Sequence, residues 1–202
     1  MAFLLPILLS SGASLAPPQQ LLAGETVPRN IYTFWHDATP WPEFIAACLA
    51  ALQHRNKGWS LHVIHPGDPS IEPPPVGALE DLSPQLLSDW YRVAALGRPG
   101  GGGVWLDATT IALQGVEAWV NMSSPALQGF RTPFDSNTIE SWAFAVPRDN
   151  LVAAQWLHNF RHALQMGVGP YCKSLSDDIV GKLRTFLPYL TICAAYREVC
   201  RH

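Results

Sequence analysis

Apolar positions change their period several times along the chain, and each change marks an element. Residues 29–36, RNIYTFWH, are β-branched and aromatic and predict a strand. Pro42 follows, suited to a first helical turn, and EFIAACLAALQHRN sets apolar side chains at 44, 45, 48, 49 and 52. That is the spacing of one helix face, closed by Asn56 and Gly58. WSLHVIHP, 59–66, reads as a second strand, and strand–helix–strand with short joins is the pattern of a parallel α/β unit. Residues 66–78, PGDPSIEPPPVGA, hold five prolines and predict an extended surface connection. Ser83 then caps a helix with Pro84 at its first position. Leu86, Trp90, Val93 and Ala94 share its core-facing arc, Asp89 and Arg92 lie together on the other side, and Gly97-Arg98-Pro99 ends it.

The second half continues the alternation. VWLDATTIAL, 104–113, predicts a third strand, and a fourth is expected over about 138–146. DNLVAAQWLHNFRHALQM predicts a helix opened by Asp149, and a last helical pattern runs over roughly 175–187. The expected fold is α/β with a mostly parallel central sheet.

Composition narrows the function. A chain of 202 residues with 48% hydrophobic and 14% charged residues buries a core and is not disordered. Its net charge of −3 argues against a duplex nucleic-acid partner, which needs a basic face. Residues 1–26 form an apolar N-terminal tail, and 27–202 the folded domain. The tail ends its apolar run in Ser14-Leu15-Ala16, like a signal-peptidase site, but lacks a basic start. It reads as a cleavable signal or short anchor, implying the secretory pathway, Golgi or a membrane, or as an ordinary tail on a cytoplasmic protein. The sequon at Asn121 matters only in the first case. Cys48, Cys172, Cys193 and Cys200 show no Cys-x-x-Cys spacing, so they read as core thiols, or as disulfides if the chain is secreted.

Candidate chemistry gathers between residues 88 and 109. Gly100–Gly103 is no phosphate loop, since no Lys-Ser/Thr follows. It is no dinucleotide fingerprint either, because the glycines follow a helix and precede a strand. A tight turn accounts for the glycines themselves. Asp89 and Arg92 read as a ligand-binding pair or as a surface i, i+3 ion pair, and Asp107 as a site carboxylate or a turn cap. Trp35 is a stacking ring or core filler, and Glu140 is a site acid or a solvated one. His158 and His162 have a metal-like i, i+4 spacing without the glutamate of His-Glu-x-x-His.

Ser88-Asp89-x-x-Arg92 followed by Gly102-Gly103-Val104-Trp105-Leu106-Asp107 resembles the central motif of capsular polysaccharide synthesis-type glycosyltransferases. These are relatives of the DXD-motif sugar-binding group that includes mannosyltransferases and the glucosylating clostridial toxins. VPRNIYTFWHD and TIESWAFAVPRDNLVAAQW are similar to the flanking segments, so the resemblance spans roughly residues 27–195. It implies a GT-A-like, Rossmann-type nucleotide-sugar-binding domain. The implied donor is a UDP- or GDP-sugar and the implied acceptor a glycan or glycolipid. Trp35 would lie against the base, and Ser88, Asp89, Arg92, Gly102 and Gly103 would hold the sugar and phosphates, with Glu140 towards the acceptor. Asp107 and Asp89 would carry the catalytic roles, and Asp107 would meet the ribose or, with Thr109, hold a divalent cation, Mn²⁺ or Mg²⁺. Asp107-Ala108-Thr109 departs from Asp-x-Asp by exchanging the second carboxylate for a hydroxyl. The sequence also ends at His202, before the acceptor half is expected to be complete, so a truncated, non-catalytic sugar-nucleotide or glycan binder is the alternative.

Overall fold

The computed structural model describes residues 24, 26–37, 39–75, 82–133, 135, 137–183 and 187–201. Most of the apolar tail, residues 76–78 of the proline-rich connection and residues 79–81 lie outside the described residues. The elements are β1 (Asn30–Phe34), α1 (Glu43–Arg55), β2 (Ser60–Ile64), α2 (Pro84–Gly97), β3 (Gly103–Leu106), β4 (Gln128–Arg131) and β5 (Ile139–Val146), then α3 (Leu151–Met166), α4 (Val168–Ser174), α5 (Asp177–Leu183) and α6 (Thr191–Val199). No helix among the described residues is long and apolar enough to cross a membrane.

The strands order as β2-β1-β3-β5-β4. β1 pairs in parallel with β2 and β3, as the strand–helix–strand pattern requires, but β5 runs antiparallel to both β3 and β4. The sheet is therefore mixed, which corrects the expected mostly parallel, Rossmann-type arrangement. The cause is the β4–β5 hairpin. A short return through residues 132–138 forces antiparallel pairing, and β5 then docks on β3 with that direction. β4, QGFR, is largely exposed and carries no apolar alternation by which it could be foreseen.

Alternation along the strands divides the core into two faces. Tyr32, Phe34, Trp105, Phe144 and Val146 meet α2, α3 and α6. Ile31, Val104, Leu106, Ala143 and Ala145 meet Leu52 of α1, Trp59 and Val116 on the other side. Trp90, Trp105 and Trp156 are the bulkiest fully buried side chains, and burying such a group is worth about 1.5–3 kcal/mol. Trp156 Nε1 donates to Ile192 O at 2.9 Å and so ties α3 to α6.

Helix α2 departs from its expected amphipathic form. Every residue from Trp90 to Gly97 is buried, Arg92 included, because sheet and α3 cover both of its sides. At Gly97 a Cβ would stand 2.5 Å from Ala153 O, so the crossing of α2 and α3 has no room for a side chain. Three boundaries also move. β3 stops at Leu106 instead of 113, since Thr110 N–H closes a turn on Asp107 O at 2.9 Å. α3 is opened by Asn150, whose side chain accepts from Ala153 N, whereas Asp149 (φ 54°) turns back to accept from Gly100 N at 2.6 Å. Of the pattern over 175–187, α5 takes Asp177–Leu183 and residues 184–186 lie outside the described residues, while α4 and α6 on either side were unforeseen.

Candidate active-site cleft

Because β1 and β3 are parallel, Trp35 and Asp107 emerge just past neighbouring strand ends, the edge at which α/β sheets receive ligands. The antiparallel β5 begins at the same edge. A cleft of about 580 Å³ opens there between α2, β5 and the segment before α6. Of the residues singled out from sequence, Trp35, Ser88, Asp89, Arg92, Asp107, Thr109 and Glu140 all line it.

Arg92 is its hub. The guanidinium lies over the Trp105 ring, 5.4 Å from the centroid, and its side chain is only 7% exposed. Nη1 donates to Ser141 Oγ at 2.5 Å and stands 3.4 Å from Asp89 Oδ1. Nη2 donates to Ser88 Oγ at 3.1 Å and Asp107 Oδ1 at 3.2 Å. Trp105 Nε1 reaches the same Asp107 oxygen at 2.8 Å, while the Asp107 amide donates to Trp142 O at 2.9 Å. Asp107 is thus held at its backbone and at Oδ1. Oδ2 has no donor among the described residues, and the side chain is 33% exposed.

The carboxylates differ in their electrostatics. Burial pushes Asp89 up to about 6; Arg92 opposes the rise and the charge on Asp107 adds to it. Asp89 therefore titrates close to neutrality, as groups in functional clefts often do. The Cys193 thiol beneath it is pushed up to about 12 by burial and by the negative charge of Asp89 and Glu140, so it stays protonated and inert. The described lining sets three carboxylates, Asp89, Asp107 and Glu140, around one arginine.

That excess of negative charge bears on a cation. Asp107 Oδ2 and the exposed Thr109 hydroxyl offer two hard oxygen donors on one turn. Mg²⁺ and Mn²⁺ accept so few protein ligands when phosphate oxygens and water complete the shell, so the donor set fits an ion shared with a diphosphate. No group of three or more His, Cys, Asp or Glu with metal-binding geometry occurs among the described residues. His158 and His162 form none; His162 packs edge-on to Tyr171, with ring centroids 6.4 Å apart. All four cysteines are free thiols.

Gly102 and Gly103 belong elsewhere. They lie at the start of β3, the opposite end from the cleft, with φ of +124° and +125°. A Cβ on Gly103 would stand 2.6 Å from Asn30 O, and one on Gly102 2.9 Å from Arg148 N. They let backbones approach and do not reach the cleft, which corrects their expected place beside the donor.

Ser141 and Trp142 are among the cleft residues that went unrecognised. Gly129 faces Phe144 and Arg131 faces Ile139, so β5 takes five steps where β4 takes two. This bulge re-aims residues 140–142 and brings Ser141 to Arg92 and Trp142 to the rim. The signal available in sequence was Ser141-Trp142 standing before the regular Ala-Phe-Ala-Val.

No family model and no curated protein sequence matches the chain. Among solved structures the fold is shared, remotely, with a glycosyltransferase. That structure is the PaToxG Glycosyltransferase, at a TM-score of 0.54 and 15% identity, with 87% of this chain and 79% of that chain covered. The likeness is one of fold.

Proposed function

We propose that the protein is a nucleotide-sugar-dependent glycosyltransferase that moves a sugar from a UDP or GDP donor to a glycan or glycolipid acceptor. The observation that carries this is the Arg92 fork, shared among Ser88, Asp89, Asp107 and Ser141 at the sheet edge. It sits in a fold that a glycosyltransferase also adopts. A planar guanidinium pre-set by four oxygens suits a diphosphate or a pair of sugar hydroxyls, since little ordering remains when ligand binds. Asp89 accepts from sugar hydroxyls when ionised and donates to phosphate when protonated, and its position near 6 makes both states accessible.

In this proposal Trp35 stacks against the base. The indole packs beside Ala108 on the α1 cluster, and its buried Nε1 has no acceptor among the described residues. Asp107 and Thr109 hold the cation, and Glu140 faces the acceptor side. A bound Mn²⁺ or Mg²⁺ supplies countercharge to the diphosphate leaving group as the glycosidic bond breaks. Trp105 and Arg92 fix the Asp107 carboxylate in advance, so no reorganisation is needed as charge develops.

The test is release of free sugar from a panel of UDP- and GDP-sugars with Mn²⁺ and Mg²⁺, acceptor absent. Turnover that is lost in Asp107→Asn supports the enzyme. Nucleotide binding with no sugar released, and no transfer to any offered glycan, makes the protein a binder.

A further inference from the structure

We propose that Trp142 is the platform on which a pyranose ring of the acceptor docks, a subsite next to Asp107. The inference rests on the glycosyltransferase reading and adds to it the chemistry of the acceptor.

Trp142 is 41% exposed although it lies in the middle of β5, and Phe130, its neighbour on β4, is 42% exposed. The two rings stack with centroids 5.5 Å apart and planes 3° apart, and Trp119 backs Phe130 at 5.3 Å. The indole is therefore braced from behind by two aromatic rings. Trp142 lines the cleft and Phe130 does not. A large apolar surface left to water at the mouth of a polar site is costly unless a ligand covers it.

Position ties this surface to the chemistry. The Asp107 amide donates to Trp142 O at 2.9 Å, so the platform and the site carboxylate are joined through a single backbone bond. The β5 bulge that exposes Trp142 also sets Glu140 and Ser141 beside it.

A sugar fits this combination better than other ring ligands. One face of a pyranose carries axial C–H bonds that match a flat indole, and its equatorial hydroxyls need acceptors at the rim. Glu140 offers such an acceptor and forms no ion pair among the described residues. Glu140, beside the platform, disfavours an anionic acceptor there and leaves a neutral polyol unopposed. The base has a separate ring in Trp35, which follows β1.

The experiment is saturation-transfer NMR of methyl hexosides and methyl N-acetylhexosaminides with the full chain, with UDP or GDP and Mn²⁺ present, alongside calorimetry of the nucleotides alone. Saturation is expected on the ring protons of one pyranose face. Trp142→Ala should weaken the glycoside at least about tenfold, Trp142→Phe should hold it within about threefold, and nucleotide affinity should stay within about twofold in both. Unchanged glycoside binding in Trp142→Ala, or none to the parent, overturns the platform. A fall in nucleotide affinity with intact glycoside binding assigns the indole to the base and also overturns it. If the parent binds glycoside through Trp142 but neither nucleotide, the platform stands and the donor reading fails, so the two failures are separable.

Discussion

Two buried arginines point from helices on the same face of the sheet, Arg92 on α2 and Arg197 on α6, and each meets carboxylates. Arg197 Nε stands 2.9 Å from Asp135 Oδ2. Asp135 also accepts from Thr138 Oγ1 at 2.7 Å and Asn137 N at 3.1 Å. Burial alone would raise the Asp135 carboxyl, but these donors and Arg197 outweigh it and hold the group below its ordinary range. Arg92 instead spreads its fork over four residues at 2.5–3.4 Å, and its partner Asp89 is pushed the other way, up to about 6. A carboxylate that accepts two hydrogen bonds and sits against a buried guanidinium clamps the β4–β5 loop to α6. The carboxylates around Arg92 are instead left open to the cleft, which suits the ligand site proposed above.

The largest contrast is expected in stability. Arg197→Ala leaves Asp135 buried without its cation and should cost about 3–5 kcal/mol in chemical denaturation. Arg92→Ala should cost less than half of that, because Asp89 already takes a proton near neutrality and Asp107 is partly solvated. Equal losses would erase the distinction.

The pH dependences should have opposite signs. Folded Asp89 keeps its proton to about 6, against an ordinary 3.8, so between these values the folded state binds more protons than the unfolded. Stability therefore falls as pH rises through that window, by about 3 kcal/mol from this group, and Asp89→Asn should flatten the slope. For Asp135, whose carboxyl is depressed, the contribution is complete above the ordinary carboxylate range and is lost as pH falls through the folded value. Asp135→Asn should thus destabilise at pH 7 and matter least in acid. Denaturation midpoints from about pH 2 to 8 check both.

Activity should separate the carboxylate from the hydroxyl. Asp107→Asn keeps shape but removes the charge facing the cleft and should lower sugar transfer about a hundredfold with little change in Tm. Thr109→Ala, at the exposed rim, should cost under about tenfold, since a hydroxyl is the weaker ligand. Parental turnover and metal dependence in Asp107→Asn would leave Asp107 as a turn residue.

What sequence could show follows from how local each signal is. The β1–α1–β2 unit and the capped α2 were legible because periodicity and capping lie in adjacent residues. β5's direction was not, since it depends on a hairpin partner, QGFR, with no apolar pattern of its own. In the cleft, Asp89, Arg92 and Asp107 were legible as a spaced motif. Ser141 and Trp142 arrive through a bulge that exists only in the register between two strands. Gly102 and Gly103 were drawn to the ligand by proximity in sequence, yet β3 carries them to its far end.

In the proposed function the Arg92 fork receives a nucleoside diphosphate. Calorimetric titration of UDP and GDP, each with and without Mn²⁺, into the parent and Arg92→Lys tests it most directly. Saturable binding strengthened by Mn²⁺ is expected, with at least about tenfold weaker binding in the folded lysine variant, which keeps the charge but lacks the planar fork. An unaltered dissociation constant in Arg92→Lys, or no binding of either nucleotide by the parent, would contradict it and make Arg92 a structural clamp like Arg197.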